Sequence, residues 1–212
     1  MKVFNRSSSR HGSRFGVCVA RLREACLVVA LAGMTGVLDA QEDISQSELE
    51  DLLRVKVRTV QHMALNPLLV RAVRQQNAQG LNQEEIARRD NAWRSSKELT
   101  PFKLSLQTSP AGRFLKSQVE RSSSFNEAFL TDNQGANVAA FPATSDYWQG
   151  DEEKWTAAFN GGDGRVFIGG LELDESTNTV AAQVSAPVLD RGKTIGVLVV
   201  GVTISYLQTR RQ

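Results

Sequence analysis

The chain is poor in the side chains that do chemistry. Its two cysteines, Cys18 and Cys26, both fall within the first forty positions. Beyond them there is no thiol, hence no disulfide framework, no thiolate nucleophile and no cysteine-based zinc site. Histidine is as scarce: past residue 40 there is His62 alone. A Ser-His-Asp constellation would have to use it, yet it lies off the apolar stripe of a helical segment and reads as a surface residue. No Gly-x-Ser-x-Gly elbow is present. The glycine-rich stretch Asn160-Gly161-Gly162-Asp163-Gly164 follows a helical segment and leads into a strand, the reverse of the order a phosphate cradle needs. Acidic residues crowd one region (Asp146, Asp151, Glu152, Glu153, Asp163, Asp174, Glu175) without the spacing of a calcium loop. The expectation is a protein that is not an enzyme and holds neither metal nor cofactor.

A long hydrophobic run is missing too. The longest near the start, Ala25–Leu38, has 14 residues, whereas crossing a bilayer takes about 20. Lys2, Arg6, Arg10, Arg14, Arg21 and Arg23 precede it, and Leu38-Asp39-Ala40 follows it. Basic, then apolar, then small is the order of a secretory signal peptide, so residues 1–40 are expected to be one, cleaved after Ala40. An uncleaved membrane anchor is the alternative. The leader holds six of the 25 Lys and Arg residues and two of the 23 Asp and Glu residues, leaving 19 and 21, a net charge of −2. The basic character goes with the leader, so no nucleic-acid partner is expected. The cysteine-free remainder suits a bacterial periplasm.

Residues 41–122 read as helices. Ser45 with Glu48 and Ser47 with Glu50 fit capping boxes, and Leu49, Leu53, Val57, Val60 and Ala64 recur at helical spacing. Asn66-Pro67 marks a kink or a fresh start, Gly80 a stop, Asn82 with Glu85 a further cap, and Ser109-Pro110 another start. Thr100–Thr108 is left open between extended chain and loop. Over residues 123–212 the period changes to that of strands. Phe125–Thr131 and Ala136–Phe141 form a hairpin about the turn Asp132–Gly135. An irregular aromatic segment, Pro142–Trp155, runs into a short helix ending near Phe159. Arg165–Leu173, Thr179–Leu189 and Thr194–Ser205 complete a meander. Helices followed by strands predict an α+β fold with one antiparallel sheet. The basic turn Asp190-Arg191-Gly192-Lys193 and the tail Thr209–Gln212 read as solvated, or as contacts for an acidic partner.

Tyr147, Trp148 and Trp155 lie within nine residues, beside Asp146, Gln149 and Asp151. Small-ligand pockets combine apolar walls with a few placed polar groups, and indole and phenol rings supply both. Asp146 or Asp174 could hold a cationic amine, with a cation–π contribution from the rings. The competing reading makes Trp148 and Trp155 a lid on the core, with Asp146 and Asp151 capping the short helix.

Several stretches in this order resemble the Cache family of extracytoplasmic PAS-like sensor domains: Phe129–Val138, Thr144–Glu152, Gly170–Ser176, and Ala186–Val188 with Ile195–Val197. The resemblance implies a long N-terminal helical arm packed on a five-stranded antiparallel PAS-like sheet, with a ligand pocket on its open face. Cache domains that bind amino acids carry an Arg, then a Trp-Tyr pair, then a later Asp. Trp155 stands in the place of the pair and Asp174 in that of the later Asp. Lys154 and Glu153 occupy the Arg position, which leaves Arg165 as its substitute. The ligand-binding candidates are thus Asp146, Tyr147, Trp148, Trp155, Arg165 and Asp174. The expected function is an exported, periplasmic or secreted sensor, standing alone without an output domain after Gln212. It would bind an amino acid, amine or organic acid and signal to a membrane-bound kinase, cyclase or chemoreceptor. The alternative is a ligand-free interaction module whose arm stripe, Leu49 to Val60, forms a homodimer seam.

Overall fold

A computed structural model describes residues 46–174 and 179–203. The leader, the first capping serine at position 45 and the basic tail lie outside the described residues. Five helices come first: α1 (Gln46–Ala64), α2 (Pro67–Asn77), α3 (Gln83–Arg94), α4 (Pro101–Thr108) and α5 (Pro110–Arg121). The hairpin β1 (Phe125–Thr131) and β2 (Asn137–Phe141) follows, then α6 (Glu153–Phe159) and the strands β3 (Phe167–Asp174), β4 (Thr179–Asp190) and β5 (Lys193–Thr203).

The helix starts are written in side chains. Asn66 accepts from Leu68 N at 2.9 Å, Asn82 from Glu85 N at 2.8 Å and Ser109 from Gly112 N at 2.9 Å. Each satisfies one of the donors a helix start leaves free. The segment left open by sequence is the helix α4. Its start, Thr100-Pro101, repeats the cap-plus-proline signature, with Thr100 Oγ1 accepting from Lys103 N at 3.3 Å.

The strands form one antiparallel sheet in the order β2-β1-β5-β4-β3. The fold is α+β and PAS-like, as the sequence predicted. The central strand β5 is buried along almost its whole length. Its near-continuous apolar run, rather than alternation, is the mark of a strand covered on both faces. On one face α1 lies against β4 and β5, and α5 against β1 and β2. Leu130, Val184, Val188, Leu198 and Val200 meet Val60, Leu69, Val73 and Leu115 there. On the other face α6 covers Phe129, Val197 and Val199. Burying such side chains contributes about 1.5–3 kcal/mol each.

The arm is divided where the sequence expected it, at Asn66-Pro67 and at Gly80. Leu53 and Val57 pack on the core that also holds Val60 and Ala64, so this part of the stripe serves the sheet. The helices α3 and α4 build a separate cluster with the aromatic segment. Among the described residues no helix is long and apolar enough to cross a membrane.

Candidate functional site

The six sequence-derived candidates fall into separate places. Tyr147 is 1% exposed and packs with Trp93 and Phe102, centroids 5.9 and 5.3 Å away. Its hydroxyl accepts from Gln76 Nε2 at 3.1 Å, and burial pushes the phenol's pKa up. Trp148 donates its indole N–H to Gln134 O at 2.7 Å. Asp146 accepts from Gln149 through a carboxylate oxygen. The polar tips of these three side chains are therefore engaged by the protein itself.

What holds this loop is a residue the sequence reading passed over. Asp90, on α3, accepts from Tyr147 N at 2.9 Å and Trp148 N at 3.1 Å. Its second oxygen meets Arg94 at 2.9 Å. A second buried carboxylate, Asp132, closes the β1–β2 turn by accepting from Gln134 N at 2.8 Å and Ala136 N at 2.9 Å. Burial nevertheless raises its pKa, against those bonds. The loop then crosses that turn so closely that a side chain at Gly135 would overlap Gly150. Asp146 and Asp151 do not cap α6; its cap position is Glu152, which makes no side-chain cap bond.

Trp155 belongs to the other face. It stacks on Phe159, 4.7 Å between centroids, above Phe129, Val197 and Val199. Its indole N–H is buried without a partner. Ser185 pairs in register with Val199 on one side and Phe167 on the other. Cross-strand partners share a face, so Ser185 points under α6, and its hydroxyl is also buried and unpaired. Thr194 joins them: its Oγ1 is unpaired and lies where a side chain on Gly164 would stand. Gly164 has a φ of 68°, so both conformation and contact call for glycine there.

Charge of both signs borders this face. Lys154 Nζ lies 5.7 Å from the Phe129 ring centroid. Glu127, two residues before Phe129 and so on the same side of β1, accepts from Gln183 Nε2 at 2.8 Å. Arg165 donates to Ala157 O at 2.9 Å and is otherwise exposed. Asp174 closes β3, paired through the backbone with Thr179. It stands seven residues beyond Phe167, on the order of 20 Å along the strand. Ser185, Thr194, Glu127 and Gln183 were missed from sequence. The signal was there in β4, where Gln183 and Ser185 interrupt small and apolar residues at a spacing of two.

No family model matches this chain, and no curated protein matches it. Among solved structures it is similar to the ligand-binding domain of the Pseudomonas aeruginosa amino-acid chemoreceptor PctC in complex with GABA. That likeness has 16% identity over 76% of this chain and 55% of that one, with a TM-score of 0.39. It is similar to the sensory domain of the Campylobacter jejuni chemoreceptor Tlp3 with isoleucine bound (17% identity, 79% and 67% of the two chains, TM-score 0.36). It is also similar to the sensor domain of the Vibrio cholerae histidine kinase DctB (17%, 76% and 55%, TM-score 0.35). This chain thus spans little more than half of the PctC and DctB domains.

Proposed function

We propose that this chain is an exported sensor domain and not an enzyme. It binds a small molecule under α6 and passes the event to a membrane-bound kinase, cyclase or chemoreceptor. Residues 1–40 act as its signal peptide. The observation that supports the reading is the trio of buried, unpaired polar atoms on one apolar face: Trp155 Nε1, Ser185 Oγ and Thr194 Oγ1. Leaving such a group unpaired costs about 1–3 kcal/mol, and in native proteins it calls for a water or a ligand. Lys154 and Glu127, of opposite sign at the border of this face, favour a ligand with both a carboxylate and an amine, such as an amino acid. Trp155 stays central among the sequence-derived candidates. Arg165 lies two residues before β3 and Asp174 ends that strand, while Asp146, Tyr147 and Trp148 support the loop that delivers α6.

The test is thermal denaturation of residues 41–212 with amino acids, amines and organic acids. A ligand at 100 times its Kd adds about 2.7 kcal/mol of stability. Its binding should move the Trp155 indole N–H signal in an NMR spectrum. No stabilisation by any compound, or stabilisation that leaves that signal in place, overturns the reading. The interaction-module alternative has less to stand on: of the described apolar residues of α1, Val55 is the half-exposed one, while Leu53, Val57 and Val60 face the sheet.

A further inference from the structure

Away from α6, a cavity contains a cation that the fold leaves incompletely served. Lys103, on α4, is 5% exposed. Its ammonium donates to the Ser96 carbonyl and lies 5.3 Å from the Trp93 ring centroid. No carboxylate comes within 4.0 Å of it among the described residues. An ammonium has three N–H groups, and a lysine this deeply buried is ordinarily paired. The carbonyl takes one N–H, and the ring contributes an electrostatic contact but no second strong acceptor.

Beside Lys103 opens a cavity of about 640 Å³ between the α3–α4 junction and the segment leaving β2, within the size range of small-molecule sites. Its other charged lining residues are Arg94, Lys97 and Glu98, so cations predominate. Arg94 is already bonded to Asp90; Glu98 makes no ion pair among the described residues. Leu99 and Pro142 supply apolar wall. We propose that this cavity binds a small organic carboxylate. The carboxylate accepts from Lys103, and its carbon skeleton lies against Leu99 and Pro142. Cationic ligands are disfavoured by the lining. An occupant would tie the α3–α4 junction to the loop that leads to α6, giving the domain a second input independent of the first.

The experiment is an NMR titration of the ¹³C,¹⁵N-labelled protein with acetate, benzoate and succinate, and in a separate arm with inorganic phosphate. At least one carboxylate should move the Lys103 Cε signal to saturation and leave the Trp155 indole signal in place. Calorimetry should show that carboxylate binding at least about tenfold more weakly to Lys103→Met, which is 1.4 kcal/mol. Equal affinity in that variant overturns the proposal. So does an unmoved Cε signal, or a Cε signal moved by phosphate and by no carboxylate. Movement of the Trp155 signal alone also overturns it, while leaving the proposed sensor site standing. If Lys103→Met does not fold, the wild-type Cε titration decides.

Discussion

The two faces of the sheet differ in how completely they are paired. The face under α1 and α5 is built almost wholly of aliphatic side chains in mutual contact. The face under α6 is also apolar and buried, yet it holds three side-chain atoms that could hydrogen-bond and do not. The first face is closed for stability. The second carries unpaired polar groups at a cost of about 1–3 kcal/mol each, a cost that the proposed ligand would offset.

The comparison breaks most visibly on the closed face. Leu198→Ala, at the centre of β5, should cost about 2–5 kcal/mol, read as a lower urea midpoint with an unchanged slope. Next comes the bracket that holds the aromatic loop. Asp90→Ala strips the acceptor from two backbone N–H groups and should cost about 2–4 kcal/mol. Amide exchange should accelerate at Tyr147 and Trp148 first. Tyr147→Phe removes one hydroxyl bond to Gln76 and should cost about 0.5–1.5 kcal/mol, seen as a small fall in Tm. On the open face the sign changes. Ser185→Ala removes an unpaired buried hydroxyl and should leave stability within about 0.5 kcal/mol of wild type or raise it, while ligand-induced stabilisation falls. A loss of several kcal/mol in Ser185→Ala would falsify the contrast between the faces.

The smallest effect lies outside both faces. Arg88 and Arg89 hold the Glu85 carboxyl at a pKa of about 2, below its ordinary 4.5. A depressed folded-state pKa stabilises the protein above the unfolded value, and that stability is lost as pH falls through the folded one. Glu85→Gln should therefore flatten the acid limb of the stability curve between about pH 4.5 and pH 2, and leave the neutral region nearly unchanged. Equilibrium unfolding at a series of pH values checks it.

Local signals in the sequence reached far. Asn66-Pro67, Asn82 and Ser109-Pro110 announced three helix starts because a cap needs one side chain and its own backbone. The same signature at Thr100-Pro101 went unread, although the cue was as local as the others. The strands were legible from period and turn residues. The site was less so. Tyr147, Trp148 and Trp155 are neighbours in sequence and looked like one wall, but the loop divides them. Two rings go to α3 and α4, where Asp90 fixes the backbone from 57 residues away, and the third goes to the sheet.

By itself, then, the sequence determined the α+β class, most helix starts and the scarcity of catalytic side chains, since each follows from spacing and composition. The tertiary structure alone decided which polar groups find partners. Ser185 and Thr194 look like ordinary strand residues until the register with Val199, the approach of Gly164 and the cover of α6 remove both water and neighbours. Lys103 looks like an ordinary solvated lysine until Trp93 and Ser96 close over it. Pairing depends on groups brought together from distant parts of the chain, and no local pattern encodes it.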